Sequence, residues 1–144
     1  MPFSDGTEAQ LVRRLREDGD LVLSLVACAA DGAIHGEILG HVGFSPVTVD
    51  GGKGNWFQLA PLAVAPGRQR EGIGTALVRE GIARMKDAGA RGIGVLGDPR
   101  YYGGFGFAPC EGLGISGPHG DYFRWLALTG EPPRGEVRFA PAFG

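Results

Sequence analysis

Cysteine is nearly absent from this chain: Cys28 and Cys110 are its only two, and they form no Cys-x-x-Cys pair. That excludes a disulfide framework and argues against a structural zinc or redox pair, so no metal and a reduced, cytoplasmic setting are expected. Cys28 reads as a small buried hydrophobe, and Cys110 has no basic neighbour to activate it as a nucleophile. Long apolar runs are missing too. No stretch approaches the ~18 residues of a membrane span. The opening MPFSDGTEAQ carries neither the basic nor the apolar part of a secretory leader. A soluble, unexported protein without a membrane partner follows. Positive charge is also in short supply. Lys and Arg number 14 against 16 acidic residues, for a net charge of -2, whereas a nucleic-acid surface demands a basic face.

What the chain has in quantity is glycine, 27 of 144 residues, which implies tight turns and places where a neighbour approaches the backbone closely. Thr7 or Asp5 is positioned to cap a helix through EAQLVRRLRED, which Gly19 ends. Two β-rich apolar runs, residues 21–29 and ILGHVGFSPVTV, predict a hairpin. NWFQLAPLAVAP, residues 55–66, is a third strand interrupted by Pro61, which cannot donate to a ladder and so marks a bulge or splay. Residues 72–88 turn helical, with Ile73, Leu77, Gly81, Ile82 and Met85 on one face and Gly89 as C-cap. GIGVLG is a short central strand, and Asp98-Pro99 opens a brief helical turn. YFRWLALTG and GEVRFAPAF, separated by PPRG, predict a closing antiparallel hairpin. The expected fold is mixed α/β (α+β), a mostly antiparallel sheet with one crossover helix, in a single domain spanning 1–144.

Three glycine patterns fail as phosphate loops. Gly67 and Gly72 have P-loop spacing, but Ile73 stands where the lysine must be; the G-x-G-x-x-G of residues 92–97 lies in a strand and opens no long helix; GGFGF by itself is a turn. The fourth, Gln69-Arg70-Glu71-Gly72-Ile73-Gly74-Thr75, sits between a strand and a helix. Its free N–H groups and the helix dipole favour an anion, and arginines placed there are unfavourable unless one arrives. A diphosphate fits that description. Without an anion, the stretch is a glycine-rich turn with solvated arginines.

PLAVAPGRQREGIGTAL resembles the acetyl-CoA signature of the GNAT superfamily of N-acetyltransferases, with a Q/R-x-x-G-x-G/A loop after a bulged strand. GDPRYYGGFGF is similar to a later motif of that family, where a tyrosine precedes a Gly-Phe pair by four residues, as Tyr102 precedes Gly106-Phe107. GHVGFSPVTVDG and GEVRFAPAF extend the likeness, to a bacterial subgroup of N-acetyltransferases. The resemblance implies acetyl-CoA as cosubstrate, its pyrophosphate on the loop from Gln69 to Thr75. Its pantetheine arm would pair with Leu62, Ala63 and Val64 as an added strand. It also implies Tyr102 as the acid for the departing thiolate, with Tyr101 able to exchange roles. For the base, family members often supply a glutamate before the bulge, but Gln58 stands there. Asp98 acting through water is the candidate, with His41 weaker; Asp98 also reads as a helix cap and His41 as a packed strand histidine.

Members of the family usually begin with one more strand and helix than are matched here, so the N-terminal strand is expected to be missing. Residues 21–29 would then be an apolar edge, covered by a helix or in a homodimer. The expected function is direct transfer of acetyl from acetyl-CoA to a primary amine of a small-molecule or protein acceptor. The alternative is a catalytically weak acyl-CoA-binding or regulatory domain, and a nucleotide switch is disfavoured by Ile73.

Overall fold

The computed structural model describes residues 7–28 and 38–143. Helix α1 (Thr7–Glu17) ends at Gly19, whose φ of 76° is left-handed, and buries Leu15 completely. Asp5, one of the two cap candidates, lies outside the described residues. Strands β1 (Leu23–Cys28) and β2 (Ile38–Pro46) pair antiparallel as the hairpin expected. The second apolar run does not continue as one strand: it breaks at Val47, and β3 (Thr48–Val49) joins another sheet. Strand β4 (Trp56–Val64), helix α2 (Ile73–Asp87) and strand β5 (Gly92–Leu96) form the crossover unit, with β4 and β5 parallel. Helix α3 (Pro99–Gly103) follows directly.

The main sheet has the order β1-β2-β4-β5-β7, with β7 (Phe123–Ala127) antiparallel to β5. A second sheet of order β3-β8-β6 is built from β6 (Leu113–Gly114) and β8 (Gly135–Arg138) around β3. The closing hairpin read from the sequence is therefore corrected. β7 pairs with β5, while β8 pairs with β3 and β6. Two prolines, Pro132 and Pro133, stand between β7 and β8 and cannot donate to a ladder. Leu128 and Thr129 instead donate their N–H groups to the Arg91 carbonyl, turning the chain away.

Each sheet has its own apolar cluster. α2 lies over one face of the main sheet, where Phe44, Val42, Leu59, Val78 and Ile93 are buried. Val47, Val137, Phe123 and Trp125 fill the space toward the second sheet. Gly81 explains how closely α2 approaches: a Cβ there would lie 2.6 Å from Cζ of Phe44, so only glycine lets the ring sit under the helix. α2 ends with Ala88 as C-cap and Gly89, at φ 93°, one position beyond it, the left-handed stop glycine provides. Cys28 corrects another expectation, since it is exposed on the outer strand of the main sheet.

Candidate active site

The site forms where β4 and β5 part. Their parallel pairing runs only through Trp56↔Gly92, Phe57↔Ile93 and Gln58↔Gly94. Beyond Gln58, β4 continues along β2 alone, with Leu62, Ala63 and Val64 opposite Val42, His41 and Gly40. Pro61 sits in the bulge anticipated for it: Phe44 faces Leu59 and Val42 faces Leu62, so Ala60 and Pro61 together oppose Gly43. One edge of β4 at residues 59–64 is thus without a strand partner among the described residues, and an extended arm entering the fork would find main-chain groups to pair with.

At the open end of the fork stands the first turn of α2. Gly72 is its N-cap at φ 86°, it supplies no side-chain hydrogen bond, and the first turn holds no acidic residue. The leading N–H groups, at Ile73, Gly74 and Thr75, are those that a helix start leaves for an outside acceptor. The approach from β4 is tightly wound: Gly67 has φ 82° and Arg70 has φ 70°. A left-handed arginine costs free energy that a glycine would not. We expect Arg70→Gly to raise stability by about 0.5–1 kcal/mol in urea unfolding, part of the relief being lost to glycine's larger unfolded-state entropy, while weakening coenzyme affinity. No gain in stability would mean the loop is relaxed as it stands.

Gln69, Arg70 and Glu71 are exposed beside this turn. Arg68 pairs with Glu71 at 3.2 Å, whereas no acidic side chain among the described residues lies within 4.0 Å of Arg70. Arg70 is thus a cation of this loop without an acidic partner among the described residues. Gly74 sits where loop, fork and α3 meet: a Cβ there would lie 3.4 Å from Val64 Cγ2, 3.6 Å from the Tyr101 hydroxyl and 3.9 Å from Leu62 Cδ2. The cradle offers uncapped amides, an uncrowded glycine and a strand edge without a partner among the described residues, groups that could hold a diphosphate and an extended arm.

The two tyrosines of α3 have different surroundings. Tyr102 is half-buried; its ring packs edge-on to Phe107 at 5.7 Å and fills the space where Gly97 has no side chain. Burial, and secondarily the neighbouring Tyr101, push its pKa up to about 12, so it is a proton donor at neutral pH. Tyr101 is more exposed, and its hydroxyl lies 3.2 Å from Thr75 Oγ1, tying α3 to the start of α2. Sequence spacing singles out Tyr102 but holds no signal for the Tyr101–Thr75 contact, which joins positions 26 apart.

Asp98 caps α3, one carboxylate oxygen accepting from the Arg100 N–H at 2.9 Å. His41 lies on β2, its Nε2 2.8 Å from Ser24 Oγ, and Ser24 in turn accepts from Arg16. Burial, then the Arg16 charge, hold the His41 pKa below the usual histidine value. This trio faces away from α2, on the same side as Ser45 and Gln58. Gln58 is 3% exposed at the fork's apex. It belongs to a row across the sheet, Ser45–Gln58–Gly94–Trp125, in which Ser45 Oγ, Gln58 Oε1 and Trp125 Nε1 are buried without a partner. Among the described residues no group of three or more His, Cys, Asp or Glu is placed to hold a metal ion.

The acetyltransferase (GNAT) family model matches residues 2–103. The uncharacterised N-acetyltransferase YhbS of Escherichia coli is 42% identical over 105 residues, covering 73% of this chain and 60% of the relative, and YjhQ of the same organism is 38% identical over 114. The chain thus matches about 60% of the length of these curated relatives. Among solved structures, a GNAT family acetyltransferase from Brucella melitensis, in complex with acetyl-CoA, superposes with a TM-score of 0.81 at 41% identity, covering 98% of this chain and 80% of that one. YhbS in complex with CoA superposes with a TM-score of 0.88 at 34% identity, covering 99% and 80%. With its forked sheet and its uncapped glycine turn beside the fork, the chain belongs to the acetyltransferase (GNAT) family.

Proposed function

We propose that this chain transfers the acetyl group of acetyl-CoA directly to a primary amine. The observation that carries the reading is the uncapped first turn of α2 beside the unpaired edge of β4. The complexes of the two structural relatives with acetyl-CoA and CoA support it. Acetyl-CoA supplies an activated thioester. The protein's part is to hold it and manage protons. Backbone amides at Gly72, Gly74 and Thr75, with Arg70, take the diphosphate; residues 62–64 align the arm; Tyr102 gives a proton to the departing sulfur.

The second reading, a domain that binds acyl-CoA without turning it over, is favoured by one observation: Gln58, a neutral buried amide, occupies the apex where a carboxylate base would be most useful. One assay separates the two. Acetyl-CoA at 100 times its dissociation constant should add about 2.7 kcal/mol to the native state and raise the melting midpoint by several degrees, while ATP leaves it unmoved. Thiol release with a panel of amines then marks the enzyme, and its absence beside tight binding marks the second reading. An unchanged midpoint with acetyl-CoA would overturn both.

A further inference from the structure

Resting on the acetyltransferase reading, we propose that the cavity at the end of β5 lined by Leu96, Gly97, His119 and Tyr122 is the acceptor pocket. Its substrate class is a small primary amine with an apolar or aryl substituent, and His119 receives the amine's proton. The cavity is about 310 Å³, within the usual range for small-molecule sites. It lies at the carboxyl end of one of the two parallel strands that form the fork, where ligands of α/β sheets commonly bind.

The lining decides the chemistry. Leu96 and the Tyr122 ring are apolar walls, and the imidazole is the one side chain among the four that can accept a proton from an amine. None of them is a carboxylate. Tyr122 is 55% exposed, the highest fraction among the large exposed apolar side chains of the described residues, and an aryl or alkyl group lying against it removes that surface from water. Its ring face also attracts an ammonium. His119 is anchored by the short helical turn it opens, its carbonyl accepting the Tyr122 N–H at 3.0 Å, and Gly97 donates to the Tyr122 carbonyl. The pocket is therefore tied to the strand whose next turn carries Tyr102.

Gly97 is the shared wall. It lines the cavity, and a Cβ there would lie 2.5 Å from Cε2 of Tyr102. Only the thin end of β5 separates the proposed amine site from the phenol that protonates sulfur. In the reaction the amine nitrogen bonds to the carbonyl carbon and the carbon–sulfur bond breaks. The ammonium's first proton passes to His119 and on to water. The second, lost from nitrogen after attack, replaces the one Tyr102 gives to sulfur, so the phenol ends as it began.

The test uses the chain bound to CoA, with benzylamine as probe and the histidine side-chain NMR signals as readout. Benzylamine should shift the His119 signals, and Tyr122→Ala should weaken that binding at least tenfold with CoA affinity unchanged. In turnover, His119→Ala should lower kcat/KM for benzylamine about a hundredfold, with partial rescue by added imidazole, whereas Tyr122→Ala should act mainly on KM. If benzylamine leaves His119 unshifted, or both variants turn over at the parent rate, the pocket assignment is wrong and the coenzyme site stands. Failure of CoA itself to bind would instead remove the reading beneath it.

Discussion

Tyr102→Phe should lower kcat/KM for acetyl transfer by about a hundredfold, the low end of what a positioned proton donor contributes, while the affinity for CoA stays within about twofold of the parent, as it must if the hydroxyl acts only on the departing sulfur. The ring is held by packing against Phe107 and over Gly97, and its hydroxyl makes no hydrogen bond among the described residues, so phenylalanine keeps the same space. What it loses is a proton donor. A phenol with its pKa at about 12 is fully protonated at neutral pH, so its proton is in place when the sulfur leaves. Tyr101→Phe provides the contrast. It removes one exposed hydroxyl contact with Thr75, so its effect on kcat should be no more than a few-fold. Steady-state kinetics on both variants, with calorimetric CoA titration, decide the matter, and a large loss in Tyr101→Phe with none in Tyr102→Phe would exchange their roles.

The second large effect concerns the contact that sets α2 on the sheet. Phe44→Ala should cost about 3–5 kcal/mol, because the ring is fully buried beneath the helix. Its melting midpoint should fall by roughly 10 °C or more. Gly81→Ala in the parent should also destabilise, by about 1–3 kcal/mol, since the new methyl meets the Phe44 ring. In the Phe44→Ala background the ring is gone, and the same substitution should stabilise by up to about 1 kcal/mol through helix propensity. Urea unfolding of the four proteins measures this reversal as a coupling energy. Simple additivity would show that α2 does not rest on Phe44 through Gly81. The contact bears on function because it sets where the uncapped turn at Gly72 points relative to the edge of β4.

Much of this was legible in the residues themselves. The strand–loop–helix unit of β4 and α2, the disruption at Pro61, the cap at Asp98 and the stop at Gly89 all follow from local rules. The second sheet was not legible, because β3 and β6 are two residues each and leave no periodic pattern. Cys28 is exposed although its apolar neighbours read as core, because its strand lies at the sheet's rim. His119 carried no signal in a turn-like stretch until the fold brought it against the end of β5.

By itself, then, the sequence determined the local chemistry: which segments are strands or helices, and which loop presents bare amides, since caps, left-handed glycines and apolar periodicity act over a few neighbouring residues. Only the tertiary structure decided that β4 and β5 part after Gln58, that Tyr101 rather than Tyr102 reaches Thr75, and that β7 leaves β8 for β5. Those outcomes depend on packing between residues far apart in the chain, where competing side-chain shapes choose one arrangement among several that the local patterns permit equally.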